Sequence, residues 1–237
     1  MAEQSQDSNL YWQEDEDPSE IPLPEAVQDL LFRIDCRTLP LDHAEALSGE
    51  IRKHLPWLEE EPNAAIHLIH VAESANGWVR PEDPDSELLH VSRRTRMTLR
   101  LPSHRFEDAR MLIGKTLDIA GHPLTVGDFH LRPLSKLTTI FARHVDTGGS
   151  EDESVFLRQV AEELGQRGIR ARKMMPGKLH RHRTRGGEIL TRKLMLSDLQ
   201  IPESLQLQER GLGHRPLMGM GIFLPHKGIE AVNKKQE

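Results

Sequence analysis

A mixed α+β chain, laid out as two successive strand–helix–strand–strand–helix–strand units, is what this sequence predicts, on three observations. Apolar residues recur with period two and then period 3.6 in that same order twice along the chain. Turn punctuation separates the runs, most clearly at Pro102 and at Gly186-Gly187. A glycine-rich stretch, GLGHRPLMGMG from 211 to 221, stands between the last helical pattern and the last apolar run. Each unit has the order of a ferredoxin-like βαββαβ motif, so the expected architecture is a tandem of two such halves. The duplication is one of element order, with no residue-level repeat.

The elements follow in order. VQDLLFRIDCR at 27–37 alternates apolar and charged positions and reads as a strand. In LPLDHAEALSGEIRKHL, Asp42 and Glu45 have the spacing of a capping box, and Leu47, Ile51 and Leu55 mark the buried stripe of the helix that follows. AAIHLIHVAES, 64–74, predicts a second strand with Ile66, Leu68 and His70 on one face. SRRTRMTLRLP, 92–102, predicts a third, ended by a proline that cannot donate to a ladder. HRFEDARMLIGK is a short helix with Phe106, Ala109 and Leu112 in phase, and TLDIAGHPLTVGDFHL one or two strands.

The second unit begins with the strand LTTIFARHVD and the helix ESVFLRQVAEELGQRG, whose Phe156, Val160 and Leu164 align. IRARKMM, 169–175, reads as a strand, and LHRHRTRGGEILTRKLMLSDL as a hairpin turning at Gly186-Gly187. PESLQLQERG is a short helix with proline in its first turn, and MGMGIFLP the final strand. The expected organisation is an acidic tail over 1–25, an N-terminal half over 26–134 and a C-terminal half over 135–237.

Composition narrows the class. The chain has 237 residues, and no apolar run is long enough to span a bilayer. Its N-terminus lacks the basic and apolar regions of a signal peptide. Cys36 is the single cysteine, which excludes intrachain disulfides and CxxC zinc sites and fits a reducing, cytoplasmic setting. The net charge of −6 is unevenly spread, because residues 1–25 carry eight acids and no Lys or Arg. That polar, proline-punctuated tail cannot bury enough apolar surface to offset its ordering entropy. It reads as a disordered solubilising segment, with competition for a basic groove as the alternative.

Chemistry concentrates in three places. From Arg167 to Lys193 stand Arg167, Arg170, Arg172, Lys173, Lys178, Arg181, Arg183, Arg185, Arg192 and Lys193, against the single acid Glu188. Such a run repels itself unless an anionic partner lies on it, so it reads as a nucleic-acid contact surface. The glycines Gly211, Gly213, Gly219 and Gly221 either let backbone amides approach a phosphate or simply make tight turns, and spacing alone leaves both open. The stretch matches neither a P-loop nor a dinucleotide fingerprint. His43 falls at a helix start, where the partial positive charge favours a neutral imidazole able to accept a proton; a surface histidine beside a cap is the plainer alternative. The pairs His67/His70 and His180/His182 lack a third ligand at diagnostic spacing, so no metal site and no cofactor are expected. Trp57 reads as a packing residue and Trp78 as a weak candidate for stacking on a base.

The tandem arrangement ending in GxGxxxxxGxG, followed by IFLPHKG, resembles the repeat-associated mysterious protein (RAMP) superfamily. Within it, LDHAEAL, LPWL, IHVAES, GW, VSRRT, LQLQERGLG and GIFLPHKGI resemble the CRISPR-associated endoribonucleases that process precursor CRISPR RNA. The pieces run from residue 27 to 232, nearly the whole chain outside the tail; VSRR departs from the commonest spelling, which begins with leucine. The resemblance implies metal-independent cleavage of CRISPR repeat RNA, in which the 2′-hydroxyl attacks the adjacent phosphate and leaves a 2′,3′-cyclic phosphate and a 5′-hydroxyl. It implies His43 as the acid–base residue, with Arg93, Arg94 and Lys227 assisting at the phosphate. Lys178, Arg181, Arg183, Arg185, Arg192 and Lys193, with the four loop glycines, would hold RNA. The sole tyrosine, Tyr11, stands in the tail, so a tyrosine-based mechanism is not expected. The competing reading is a non-catalytic RNA-binding RAMP subunit of an effector complex, and further CRISPR subunits stay open as partners.

Overall fold

The computed structural model describes residues 22–71 and 88–226. The acidic tail up to residue 21, Trp78 and Lys227 lie outside the described residues. Two antiparallel sheets carry the fold. The first contains β1 (Val27–Asp35), β3 (Ala65–Ile66), β5 (Arg96–Pro102), β6 (Thr116–Ile119) and β7 (His122–Arg132), in the order β3-β5-β1-β7-β6. The second contains β8 (Ile140–Asp146), β9 (Lys173–Thr184), β10 (Gly187–Ser197) and β11 (Phe223–Pro225), in the order β11-β8-β10-β9. Both have the fourth-first-third-second arrangement of a ferredoxin-like unit, with β6 added at the edge of the first. A small ribbon pairs β2 (Thr38–Pro40) with β4 (Leu88–His90).

Alternation along β1 explains its two-sided burial. Leu30 and Phe32 enter the N-terminal core beneath α1 (Ala44–His54), where Leu47, Ile51 and Leu55 meet them as the helical spacing predicts. Asp29 points the other way and is also buried, because the C-terminal half covers that face. In the second half, α3 (Glu153–Gln166) is capped by Asp152, whose side chain accepts from Ser154 N and Val155 N, and it buries Phe156, Val160 and Leu164. α4 (Ile201–Arg210) starts with a capping box between Gln200 and Glu203.

Several elements differ from the sequence expectation. The second strand contracts to Ala65–Ile66; beyond it the chain stays extended but is fastened by His67 N donating to Thr98 O and by side chains rather than by a ladder. Ile69 is buried while His70 is exposed, so His70 does not follow Ile66 inward. The HRFEDARMLIGK helix is only α2 (Phe106–Ala109) between two 3₁₀ turns. IRARKMM is not a separate strand: 169–172 is irregular, and Lys173 begins the same strand that carries His180 and His182. The hairpin turn lies at Arg185-Gly186, with Thr184 paired to Gly187. The last strand is three residues long, because Gly219 and Gly221 take positive φ and cannot extend it. Among the described residues no helix is long and apolar enough to cross a membrane.

One buried charge pair joins the halves. Arg100 and Asp29 face each other across β5 and β1, and the guanidinium grips the carboxylate through Nε at 2.8 Å and Nη2 at 3.2 Å. Its Nη1 donates to the backbone oxygens of Gln208 (2.6 Å) and Phe223 (3.0 Å) in the C-terminal half. Burial by itself would raise the Asp29 pKa, but Arg100 and His67 beside it outweigh that and hold the carboxyl well below its ordinary value. Gln208 in turn clamps the connection between the halves, with its amide donating to Ser135 O at 2.7 Å and accepting from Ser135 N at 2.9 Å.

Replacing Arg100 by Met is expected to destabilise the protein by about 3–5 kcal/mol in urea unfolding, because Asp29 is left as an uncompensated buried charge, and Asp29→Asn in the same chain should recover part of the loss. A carboxyl depressed in the folded state stabilises above the unfolded value, about 3.9, and that contribution fades as pH falls through the folded value. Stability measured from pH 6 downward should therefore fall at the acid end, with a shallower fall in Asp29→Asn.

Candidate active site

The start of α1 is the first component. His43 occupies the N-cap position but makes no side-chain cap bond. The residue is 3% exposed. Nδ1 lies 2.9 Å from Pro40 O, and Nε2 accepts the backbone N–H of Ile69 at 3.1 Å. These partners set the tautomer: Nδ1 carries the proton and Nε2 the lone pair. Both ring nitrogens thus face backbone groups in this arrangement. The ring is bonded to the segment that carries His70, through Ile69 N.

Asp42 and Glu45 do not form the expected capping box. Asp42 Oδ2 accepts from Arg183 N, and Glu45 Oε2 accepts from Arg185 N at 2.9 Å. Carboxylates at a helix N-terminus are stabilised by its dipole, and here they use their lone pairs to hold β9 of the other half against α1. Asp42 Oδ1 also lies 3.6 Å from His182 Nδ1. Burial would raise the Asp42 carboxyl, but His182 and the Arg183 N–H outweigh it and lower its pKa.

Beside this contact four histidines gather from both halves. His180 and His182 alternate on β9 and share a face with Thr191 of β10 and His144 of β8. His182 Nε2 is 3.0 Å from Thr191 Oγ1 and 3.2 Å from His144 Nδ1, and Thr191 Oγ1 is 3.2 Å from the same His144 nitrogen. His70 completes the group, its ring nearly parallel to that of His144 at 6.1 Å between centroids and 12° between planes. The HxH pair is visible in the sequence, but His144 is not. A lone histidine in the apolar strand IFARHVD gives no local signal, and only the pairing of β8 with β10 reveals its role. Among the described residues, no three His, Cys, Asp or Glu side chains converge as donors for a metal ion.

The glycine stretch folds onto this cluster. Gly211, Gly213, Gly219 and Gly221 all have positive φ. A Cβ on Gly221 would stand 1.9 Å from Leu212 O, and one on Gly219 2.5 Å from Leu68 Cγ. The four amides are spent within the protein, on Leu207 O, Glu163 Oε1, Pro216 O and His144 O respectively. The four glycines thus make tight turns, one of the two readings their spacing leaves open. Gly221 N holds His144 O at 2.6 Å, and Gly219 packs against the residue two before His70, so the loop positions the histidines.

The basic run is less bare than its sequence. Arg167 pairs with Glu163, Lys173 with Asp198, Arg181 with Glu151 and Glu188, and Arg192 with Glu153. Acids from α3 and its approach thus offset much of the self-repulsion inferred from the run alone. Lys178, Arg185 and Lys193 are exposed on the hairpin and, among the described residues, enter no ion pair; the Arg183 side chain is exposed beside them. Arg93 and Arg94 sit in an exposed turn ahead of β5, and among the described residues neither guanidinium bonds to a histidine. Trp57 packs against the N-terminal core under Arg105, 4.7 Å from the ring centroid, as a structural tryptophan.

Two ferredoxin-like sheets follow one another in this chain, with a glycine loop inside the second half that ends among histidines, and solved structures share that tandem fold. It matches one described as "CRISPR associated protein Cas6" with a TM-score of 0.57 at 13% identity, covering 85% of this chain and 99% of the other. A second, described as "An RAMP protein binding different RNA substrates", gives 0.58 at 14% identity over 85% and 100% of the two chains. A third, of a Cas6-related gene from Pyrococcus furiosus, gives 0.57 at 15% over 85% and 98%. The Cas6 family model, described as "Cas6 Crispr", matches residues 28–228. The CRISPR-associated endonuclease Cas6 of Myxococcus xanthus (strain DK1622) is 32% identical over 197 residues, which is 83% of this chain and 80% of that protein. This chain belongs to the Cas6 family of CRISPR-associated endonucleases.

A methyl group at Gly221 should be far more damaging than one at Gly213, where no atom lies within 4 Å. Gly213→Ala is expected to cost about 1 kcal/mol for its left-handed backbone. Gly221→Ala should cost at least about 2 kcal/mol, since strain and a backbone collision add. Thermal unfolding of the two variants measures the difference.

Proposed function

We propose that this protein is a metal-independent endoribonuclease that binds CRISPR repeat RNA and cuts it to release guide RNAs. Family membership supports the substrate class. The observation that carries the chemistry is the meeting of Asp42, His70, His144, His180 and His182 beside the exposed cations of the β9–β10 hairpin. Imidazoles are the side chains that move protons near neutral pH, and RNA holds its own nucleophile in the 2′-hydroxyl. In this reading the 2′-oxygen attacks phosphorus, the P–O5′ bond breaks, and the products are a 2′,3′-cyclic phosphate and a 5′-hydroxyl. Lys178, Arg183, Arg185 and Lys193 hold the RNA backbone, since A-form stems offer proteins phosphates and shape more than readable edges. His43, at the start of α1, is assigned as the acid–base residue, and Arg93, Arg94 and Lys227 to the phosphate as electrostatic partners. The two halves are taken as 26–134 and 135–237, with the acidic tail ahead of them, and the reaction is assigned to the cytoplasm.

The test is cleavage of a labelled repeat RNA by the full chain in excess EDTA. Cutting that persists in chelator, stops with a 2′-deoxy sugar at the cut site, and yields a cyclic phosphate by mass spectrometry supports the proposal. Tight binding without cutting, or cutting that the chelator abolishes, overturns it. Alanine at Lys178, Arg185 and Lys193 should weaken binding and lower the log–log salt slope by about one unit for each cation removed from a phosphate.

A further inference from the structure

The two faces of the second sheet are used differently. Ile140 and Ala142 of β8, Leu194 and Leu196 of β10 and Phe223 of β11 are buried against α3 and α4 in the C-terminal core. Side chains alternate along a strand, so the residues between these point to the opposite face. The register then aligns Leu224, Phe141, Met195 and Met175 in one row across β11, β8, β10 and β9. Among the described residues none of the four joins either hydrophobic core: Met175 is 48% exposed and the other three are half-buried. The matching face of the first sheet is closed, because Asp29 and Arg100 lie there under the C-terminal half.

The row has planar and cationic neighbours. The Arg143 guanidinium lies over the Phe141 ring, 5.2 Å from its centroid, and the His226 ring meets the same ring edge-on, at 5.8 Å and 88°. On β10, Lys193 stands between Met195 and Thr191 on this face, and Gly177 of β9 leaves room for it, since a Cβ there would be 2.8 Å from Lys193 Cβ. Thr191 belongs to the histidine group, so Lys193 leads from that group to the row, about 13 Å along the strand from Thr191 to Met195. On the far side the row is bordered by the hydroxyls of Thr139 and Ser197, 3.0 Å apart. The apolar strip is thus a single row between polar neighbours. A stable protein interface takes about 800 Å² from each partner, which four side chains do not supply. A flat aromatic group with a negative charge beside it fits both the row and the cations.

We propose that this row is a subsite for one unpaired nucleobase of the bound RNA, stacked on Phe141 and Arg143, flanked by Met175 and Met195, with its phosphate toward Lys193. This rests on the RNA-binding reading above and adds to it a place where a base is held, apart from the hairpin cations that hold phosphates. Every base has a π face, and aromatic rings and guanidinium planes both stack on it. Thioethers pack favourably around such rings. A four-stranded sheet with one open face is a setting in which proteins carry stacked bases of single-stranded RNA. The nucleotide concerned lies within a few positions of the phosphate at the histidine group, because one strand carries both sites.

Equilibrium binding of labelled repeat RNA by the full chain, with an abasic nucleotide placed at each position in turn, tests the subsite. One unpaired position near the cut should cost the intact protein about 5- to 150-fold in affinity when its base is removed. Phe141→Leu should lose at least about fivefold on unmodified RNA and nothing further when that same position is abasic, whereas Phe141→Trp should bind as the intact protein does. The log–log salt slope of Phe141→Leu should match that of the intact protein, since no cation is removed. Met175→Ser, at the most exposed place in the row, should give a smaller loss coupled to the same nucleotide, and it serves as the test if Phe141→Leu folds poorly. If the intact protein does not bind repeat RNA, the proposed function itself falls. If it binds and no abasic position is coupled to Phe141 or Met175, the subsite alone is overturned. Self-association of the intact protein that Phe141→Leu or Met175→Ser abolishes would give the row to a second copy of the chain and likewise overturn it.

Discussion

The guanidinium of Arg100 is the buried charge that ties the two halves of this molecule together. Its contact with Asp29 lies within the first sheet, on the face away from α1, where an isolated ferredoxin-like half would expose it. A buried carboxylate and a buried guanidinium are tolerated only when their remaining donors and acceptors are met. Those donors find the backbone oxygens of Gln208 and Phe223, at the two ends of the connection between α4 and β11. Folding of the N-terminal half is thereby tied to the docking of the C-terminal half, and the glycine-rich connection is fixed at both ends.

Between those ends the connection has no choice but to be glycine-rich. Leu212 N donates to Gly221 O, so the start and end of the loop lie against each other at backbone distance. There is no room for a Cβ on Gly221 or Gly211, where built Cβ atoms meet the opposite backbone at 1.9 and 2.8 Å. Close approach and left-handed φ together require glycine there. The same closeness delivers Gly221 N to His144 O and Gly219 to Leu68. The loop thus lies against one strand of the second half, through His144, and against the segment of the first half that carries His70, through Leu68.

Charge follows the same division between scaffold and surface. Asp42 and Glu45 sit where a helix N-terminus favours carboxylates, yet they bind the backbone of β9 and so seat the basic hairpin beside the histidines. Arg181 and Arg192 are drawn to Glu151, Glu188 and Glu153, which steadies the hairpin. The outward cations that remain are arranged along one ribbon, as a surface for a phosphate backbone requires.

The features governed by near neighbours are the ones legible in the amino-acid order. β1, α1, α3, α4 and the β9–β10 hairpin can be read there because apolar period, proline placement and the glycines at 186 and 187, within one residue of the actual turn, act over a few residues. The doubled order of elements is enough to predict the tandem architecture. The remaining features were decided by tertiary contacts, because their partners lie far apart in the chain. Asp42 and Glu45 have capping-box spacing but are claimed by residues some 140 positions away. The basic run looks unpaired because Glu151, Glu153 and Glu163 precede it on and before another helix. Nothing local announces that Ile69 N reaches His43 Nε2. His70 looks like an ordinary strand residue until the second sheet places His144 beside it. Spacing encodes which residues share a face of one element; which faces meet, and therefore which imidazole stays exposed, is set only when both halves close on Arg100.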